Sequence, residues 1–263
     1  KTRETQKITQ TLSLNGQNLD TKADVIMTTQ TAFGQRDAEG GLTYKTTFVS
    51  ILADMELYGS KVKFDSANPD VKSDSPIADI VLDAFRKLKD STLTVKLDKD
   101  GQVVSVEGIQ EGTGLAPDSI KNANAQRLNR LPAEAVKPGD TWERDEEADL
   151  GQGQILAVKR KYEYVGTTPK FPTVKNSPQL DKITATDLSV EYKVKGDANP
   201  ITVKESDLKV GNSKHTFLFD RDAGRFVDEQ SELQVKGVLK LLVMGMELDL
   251  VDLKIETGRR EIE

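Results

Sequence analysis

The chain has 263 residues, no cysteine, one histidine and one tryptophan, with charged residues at 30% and aromatics at 5%. Its 37 Lys and Arg against 43 Asp and Glu leave a net charge of −6. Disulfide frameworks, thiolate nucleophiles, iron–sulfur clusters and cysteine zinc sites are thereby excluded, and the acidic balance argues against general nucleic-acid binding. A chain of this length can bury a sizeable core as one large β domain or as two smaller ones.

The elements read in chain order as strands broken by turns. Apolar and polar residues alternate over Ile8–Leu14, Asp24–Phe33 and Tyr44–Leu57, and Ser60–Phe64 follows Gly59. That period of two belongs to half-buried strands. Asn15-Gly16 and Gly40-Gly41 mark turns between them. The period then changes. Ser75-Pro76 opens a helix over residues 76–89, with Ile77, Ile80, Val81, Ala84, Phe85 and Leu88 predicted on one stripe. Asp79 in its first turn and Arg86, Lys87 and Lys89 in its last suit the helix dipole.

Thr92–Leu97 and Gln102–Glu107 form a hairpin around Asp98-Lys99-Asp100-Gly101. The turn resembles the opening of a calcium loop, but position twelve is Ile109 and strands flank it, so a plain hairpin turn is expected. Pro117–Arg130 reads as a second, weaker helix ended by Leu131-Pro132. Pro132–Asp140 is extended, Trp142 follows, and the acidic run Glu143–Asp149 reads as a solvated face. Trp142 is expected in the core at the junction between halves.

Ile155–Val165 and Ile183–Val194 resume the strands, with Thr167–Pro178 as an irregular loop and Gly196–Pro200 as a turn. Lys214–Phe219 and Arg225–Leu233 make a second hairpin around Asp220–Gly224. Its turn aligns with the first one, which leaves open two halves of similar design or simple convergence of acidic-Gly turns. Leu239–Ile255 alternates with two slips of phase, read as bulges in one long, bent strand. The fold class is therefore mainly β with minor α: long curved antiparallel sheets forming one or two half-barrels, with two helices near the middle of the chain. The halves are residues 1–131 and 154–263, joined by a connector over 132–153.

Chemistry is scarce in this pattern. His215, the only histidine, starts a strand and reads as a surface residue rather than a general base. There is no G-x-S-x-G elbow, no phosphate-binding glycine loop and no H-E-x-x-H pair. No catalytic residue, metal ligand or cofactor is expected, and the chain reads as a non-enzyme. The longest apolar stretch, Val238–Val251, is too short and too charged to cross a bilayer. Two apolar features remain, the helix stripe and the Met-rich strand around Gly245. Ordinary core is one reading. A lipid or other apolar ligand held between helix and curved sheet by Ile77, Val81, Phe85, Met244 and Met246 is the other. A structural or interaction module is the alternative, with long strands such as Tyr44–Leu57 exposing edges for protein partners.

Several short motifs, in order, resemble an uncharacterised bacterial family of exported proteins and lipoproteins, abundant in planctomycetes. They are Phe64-Asp65-Ser66, the hairpin at Leu93–Gly108, Leu131-Pro132 with Gly139-Asp140-Thr141-Trp142, and Phe219-Asp220 with Gly224. The resemblance implies no activity, because that family has none assigned. At fold level alone the layout is similar to periplasmic lipoprotein-localisation factors, which hold acyl chains between sheet and helices. The chain opens on Lys1 rather than Met. A removed export signal would account for that, as would an artificial boundary or a cut tag. The expected location is exported, periplasmic or envelope-anchored, with anchoring through a removed N-terminal segment.

Overall fold

The computed structural model describes residues 1–262 other than 15, 58, 73–74, 152, 171–176, 196–200 and 244–245; of the side chains at 77, 149–151 and 243 nothing is said. The strands are β1 (Thr2–Leu14), β2 (Gln17–Arg36), β3 (Leu42–Leu57), β4 (Ser60–Asp65), β5 (Thr92–Leu97), β6 (Val103–Glu107), β7 (Thr141–Gly151), β8 (Gln154–Pro169), β9 (Gln179–Val194), β10 (Ile201–Asp220), β11 (Arg225–Val243) and β12 (Met246–Glu261). The helices are α1 (Pro76–Leu88) and α2 (Pro117–Asn129). The mainly β, antiparallel class with two helices near mid-chain is thus what the molecule has.

The chain divides into two compact units. The first holds Lys1–Gln6, Lys22–Asn129 and Glu261–Glu263; the second holds Lys7–Thr21 and Arg130–Arg260. Residues 141–151, placed by the sequence in a connector, form strand β7 of the second unit.

In the first unit the strand order is β6-β5-β3-β2-β1, with β4 also paired to β3. The path is open. Strands β5 and β4 share β3 between them, pairing with Leu42–Thr47 and Leu52–Leu57 respectively. The gap between them is closed by other backbone groups. The Phe48 N–H donates to Ser91 O (3.1 Å), the Asp90 N–H donates to Phe48 O (3.0 Å), and the Ile51 N–H donates to Ser66 Oγ (3.0 Å). Asp90 takes a left-handed φ of 62° to make this exit from α1, a conformation that Asp tolerates better than most residues. Strand β3 is therefore interior, which corrects the expectation that Tyr44–Leu57 exposes an edge.

Helix α1 starts as its sequence dictates, with Ser75 at the N-cap and Pro76 next. It covers the face of β3 and β4 that carries Ile51, Ala53, Met55, Val62 and Phe64, all buried. Ala78, Leu82 and Leu88 are the helix residues driven furthest in, with Val81 and Phe85 beside them, and Phe85 meets Phe64 at 5.4 Å between rings. Ile80 is 69% exposed. The predicted stripe is thus rotated: positions 78, 82 and 85 face the sheet, and position 80 does not. Leu82 fits the same helical period through Ala78, and the flat sheet surface selects that side.

In the second unit the path runs β2-β1-β12-β11-β10-β9-β8-β7, with β1 and β2 entering through Lys7–Thr21. The long strand predicted over 239–255 is in fact two. Strands β11 and β12 pair antiparallel with Val243 opposite Met246, so the first slip of phase separates two strands rather than bending one. The second slip lies opposite a true register shift between Lys236 and Leu239. Gly237 sits in that bulge at φ 124°, and a Cβ there would stand 2.1 Å from Asp207 O. Only glycine fits such an approach. The two acidic-Gly hairpins share turn chemistry alone: Asp98 Oδ1 accepts from the Asp100 and Gln102 N–H groups, and Asp220 Oδ1 accepts from the Ala223 N–H. The strands they join differ, β5 and β6 having six and five residues against twenty and nineteen in β10 and β11. The sequence-predicted turns at Asn15 and Gly196–Pro200, and residues 171–176 of the Thr167–Pro178 loop, lie outside the described residues, while Thr167–Pro169 belong to β8.

Leu82→Ala is expected to cost about 2–5 kcal/mol of stability by leaving a cavity under α1, whereas Ile80→Ala stays within about 0.5 kcal/mol as a surface change. Urea unfolding of both variants checks this; equal losses would put the helix on the wrong face.

Candidate functional site

The inward faces of the second unit's strands carry two apolar clusters. One is centred on Leu156, Val190, Leu233, Val235 and Leu253. The other is aromatic, with Tyr162, Tyr164, Phe217 and Phe226 as its centre and Leu131, Val136 and Trp142 packed against it. Strand alternation places charged residues in phase with these apolar sets. On β8 the alternating buried positions are Leu156, Val158, Arg160, Tyr162 and Tyr164, and Ile155 is buried as well. On β9 Asp187 follows Ile183 and Ala185, and a register shift then skips Leu188, so that Val190 and Tyr192 also face inward. That extra residue sets Asp187 opposite Arg160 across the β8–β9 pair.

The result is a buried polar cluster. The Arg160 Nε donates to Asp187 Oδ1 (2.6 Å) and its Nη1 to Glu146 Oε2 (2.9 Å). The Tyr162 hydroxyl donates to Glu146 Oε1. His215 Nε2 meets Asp187 Oδ2 at 2.8 Å, and the Asp187 N–H donates to Ser213 Oγ at 2.6 Å. Arg130 reaches in from the segment after α2. Its Nη1 donates to Glu229 Oε2 (2.6 Å), its Nε lies 3.9 Å from Glu146 Oε2, and its guanidinium stands 4.9 Å from the Phe217 ring centre. Arg259 on β12 also binds Glu229, at 3.3 Å. Three guanidiniums thus meet three carboxylates, Arg130, Arg160 and Arg259 against Glu146, Asp187 and Glu229. The cluster is internally neutral if His215 is neutral.

Local electrostatics keep it so. Burial pushes the His215 imidazole below its ordinary value, and the Arg160 charge adds to this, outweighing the hydrogen bond and charge of Asp187. For Asp187, burial acts upward, but the hydrogen bond from His215 and the charge and hydrogen bond of Arg160 together hold its carboxyl below the usual carboxylate range. Both directions describe one state: a neutral imidazole donating Nε2–H to an ionised carboxylate. His215 Nδ1 is then an acceptor, and it has no hydrogen-bond partner among the described residues. A carboxylate-oriented imidazole is the pair used in general-base chemistry. Here the ring is 1% exposed, with Phe217 stacked parallel to it at 6.3 Å.

Trp142 closes one side. Its ring stacks on Tyr162 at 5.6 Å and its Nε1–H donates to Arg130 O (2.9 Å). Arg144 Nη2 donates to Leu131 O (3.2 Å). Residues 130–131 are therefore tied to β7 through side chains.

Several sequence expectations change here. His215 is a core residue, not a surface one, because the inward phase of β10 runs through positions 215 and 217. The acidic run Glu143–Asp149 is not wholly solvated, since Glu146 is buried against Arg160. Among its exposed members, Glu143 pairs with Lys159 (3.2 Å) and Glu147 with Lys195 (2.6 Å). Trp142 packs as a partly buried residue of the second unit. The Asp98–Gly101 turn is an Asp-capped hairpin, and no group of three or more potential metal-binding His, Asp or Glu occurs among the described residues.

The five apolar ligand candidates are distributed as follows. Val81 and Phe85 pack into the first unit's core. Met246 belongs to the second unit and is 52% exposed. Met244 and the side chain of Ile77 lie outside the described residues. Beneath α1, Ala78, Leu82, Ile51 and Phe64 are buried in one apolar cluster. A shallow concavity of about 430 Å³ does exist, lined by Asp24, Ile26, Leu52, Asp54, Lys63 and Val71 among others. Its lining includes Leu52 and Asp54, which alternate with the α1-facing residues of β3, and also Ala53 and Phe64. Its rim is charged, with Lys63 bound to Asp54 at 3.1 Å. Arg86 of α1 holds one wall, donating from Nε to Pro69 O (2.9 Å) and from Nη2 to Val71 O.

Comparisons with known proteins give little chemistry. Residues 39–113 match a family of unknown function, DUF6263. That match spans β3 to β6 and α1. A search of the curated proteins found no match. Among solved structures, a DUF1329 family protein from Desulfovibrio piger ATCC 29098 is similar at 7% identity and a TM-score of 0.15, covering 98% of this chain and 85% of that one.

Asp187→Asn is expected to destabilise the second unit by about 3–5 kcal/mol, because it leaves Arg160 buried beside a neutral amide. In a double-mutant cycle with Arg160→Met the loss is expected to be less than additive. Additive losses in denaturant titrations would show that the two side chains are not coupled.

Proposed function

We propose that this chain is a non-enzymatic interaction module of the cell envelope that works through its surface and holds no small-molecule ligand. One observation carries the reading: the space beneath α1, where an apolar ligand was expected, is packed with Ala78, Leu82, Ile51 and Phe64. The buried charged cluster supports it too. Its charges neutralise one another, and its histidine is closed off from solvent, so it serves packing and register better than turnover. The envelope assignment rests on the resemblance of the hairpin and the Leu-Pro and Gly-Asp-Thr-Trp segments to exported proteins.

The reading puts its contacts at a sheet edge. In the strand order β7 ends the second unit's path, with β8 as its paired neighbour. An edge of this kind accepts an extended partner strand through backbone hydrogen bonds. It is guarded by charge, since Glu143, Asp145 and Glu147 point outward along it.

Organic extraction of the purified, folded protein, followed by mass spectrometry, decides between the two readings. A clean extract is expected. A lipid recovered at one molecule per chain would overturn the surface reading and restore a carrier.

A further inference from the structure

The chain's only histidine and its only tryptophan both lie in the polar cluster of the second unit. We propose that His215 is an acid trigger there: protonation at Nδ1 places a charge and an N–H donor where the packed cluster offers no acceptor, and the residues gathered around Arg130 and Trp142 loosen in response.

The surroundings of the ring make this specific. The groups around it come from every neighbouring strand. Asp187 of β9 already holds Nε2. Arg160 of β8 binds that same Asp187, and Glu146 of β7 is taken by Arg160 and by the Tyr162 hydroxyl. Glu229 of β11 is held by Arg130 and by Arg259 of β12. Each carboxylate is committed, and Nδ1 has no hydrogen-bond partner among the described residues. A proton on that nitrogen adds a positive charge to a balanced set of three guanidiniums and three carboxylates. A buried donor without an acceptor and an uncompensated charge are both costly.

The sign follows from linkage. The imidazole's folded value lies below its ordinary 6.5, so the unfolded or loosened chain takes up the proton first. Stability is complete above about pH 6.5 and falls as pH drops toward the folded value, by up to about tenfold in the folding equilibrium per pH unit. The Asp187 carboxyl, held below its ordinary 3.8, adds its loss only under more acid conditions. With one histidine in the chain, the interval between about pH 5 and 6.5 belongs to His215 among the side chains. The inference stands independently of the proposed function.

Trp142 reports the event directly, because it stacks on Tyr162 and is bound to Arg130 O. Its fluorescence and its accessibility to acrylamide should be followed from pH 7.5 to 4.5 in the full chain and in His215→Gln. A one-proton transition below pH 6.5 is expected in the parent chain and its disappearance in the variant. The same transition in His215→Gln, or a flat parent profile, would overturn the proposal. Should the variant fail to fold, proton NMR of the single imidazole in the parent chain decides. Titration below the ordinary value in step with the Trp142 signal supports the trigger, and titration at the ordinary value with Trp142 unmoved overturns it.

Discussion

The Arg160 guanidinium is the interaction around which the second unit is arranged. It joins Glu146 on β7 to Asp187 on β9, and Asp187 in turn holds His215 on β10. Four neighbouring strands are thereby put in one register by groups that cannot be left unpaired. Shifting any of these strands by one residue would turn its charged side chain to the other face and strand its partners. The apolar clusters on either side supply burial, but Leu, Val and Ile accept many arrangements. The ion pairs accept few.

The same constraint explains the irregularities nearby. The skipped residue at Leu188 brings Asp187 level with Arg160 and leaves Leu188 about half exposed. Arg130 neutralises Glu229 while lying over Phe217, so one side chain serves both the charge balance and the aromatic cluster. Trp142 then fastens the Arg130 carbonyl to β7. The first unit is built differently. It has a helix laid on a sheet, and its one conspicuous break, between β4 and β5 along β3, is repaired by backbone groups and Ser66 rather than by charge.

Much of the fold was legible. Period-two alternation located the strands, because a sheet with one buried face imposes it. Pro76 after Ser75 marked the start of α1, and Asp98 to Gly101 marked the β5–β6 turn. The errors have physical causes. Ile80 falls on the apolar stripe of α1 in the sequence yet faces solvent, because hydrophobicity alone does not say which side of a helix a sheet selects. The break between β11 and β12 was read as a bulge, because a slip of phase looks the same in either case until strand pairing is known. The candidate site was hardly legible, although a signal was present: Arg160 and Asp187 each occupy the apolar phase of an otherwise alternating strand.

The sequence by itself determined the class of fold, the absence of cysteine chemistry, the position of both helices and the short hairpin turns. All of these depend on neighbours within a few residues, or on composition. Only the tertiary structure decided that His215 is buried, that Glu146 leaves its acidic run to meet Arg160, that Tyr44–Leu57 is interior, and that the space under α1 is filled. Each of those depends on partners 14 or more residues apart in the chain, brought level by strand register, and register is a property of paired strands rather than of any one segment.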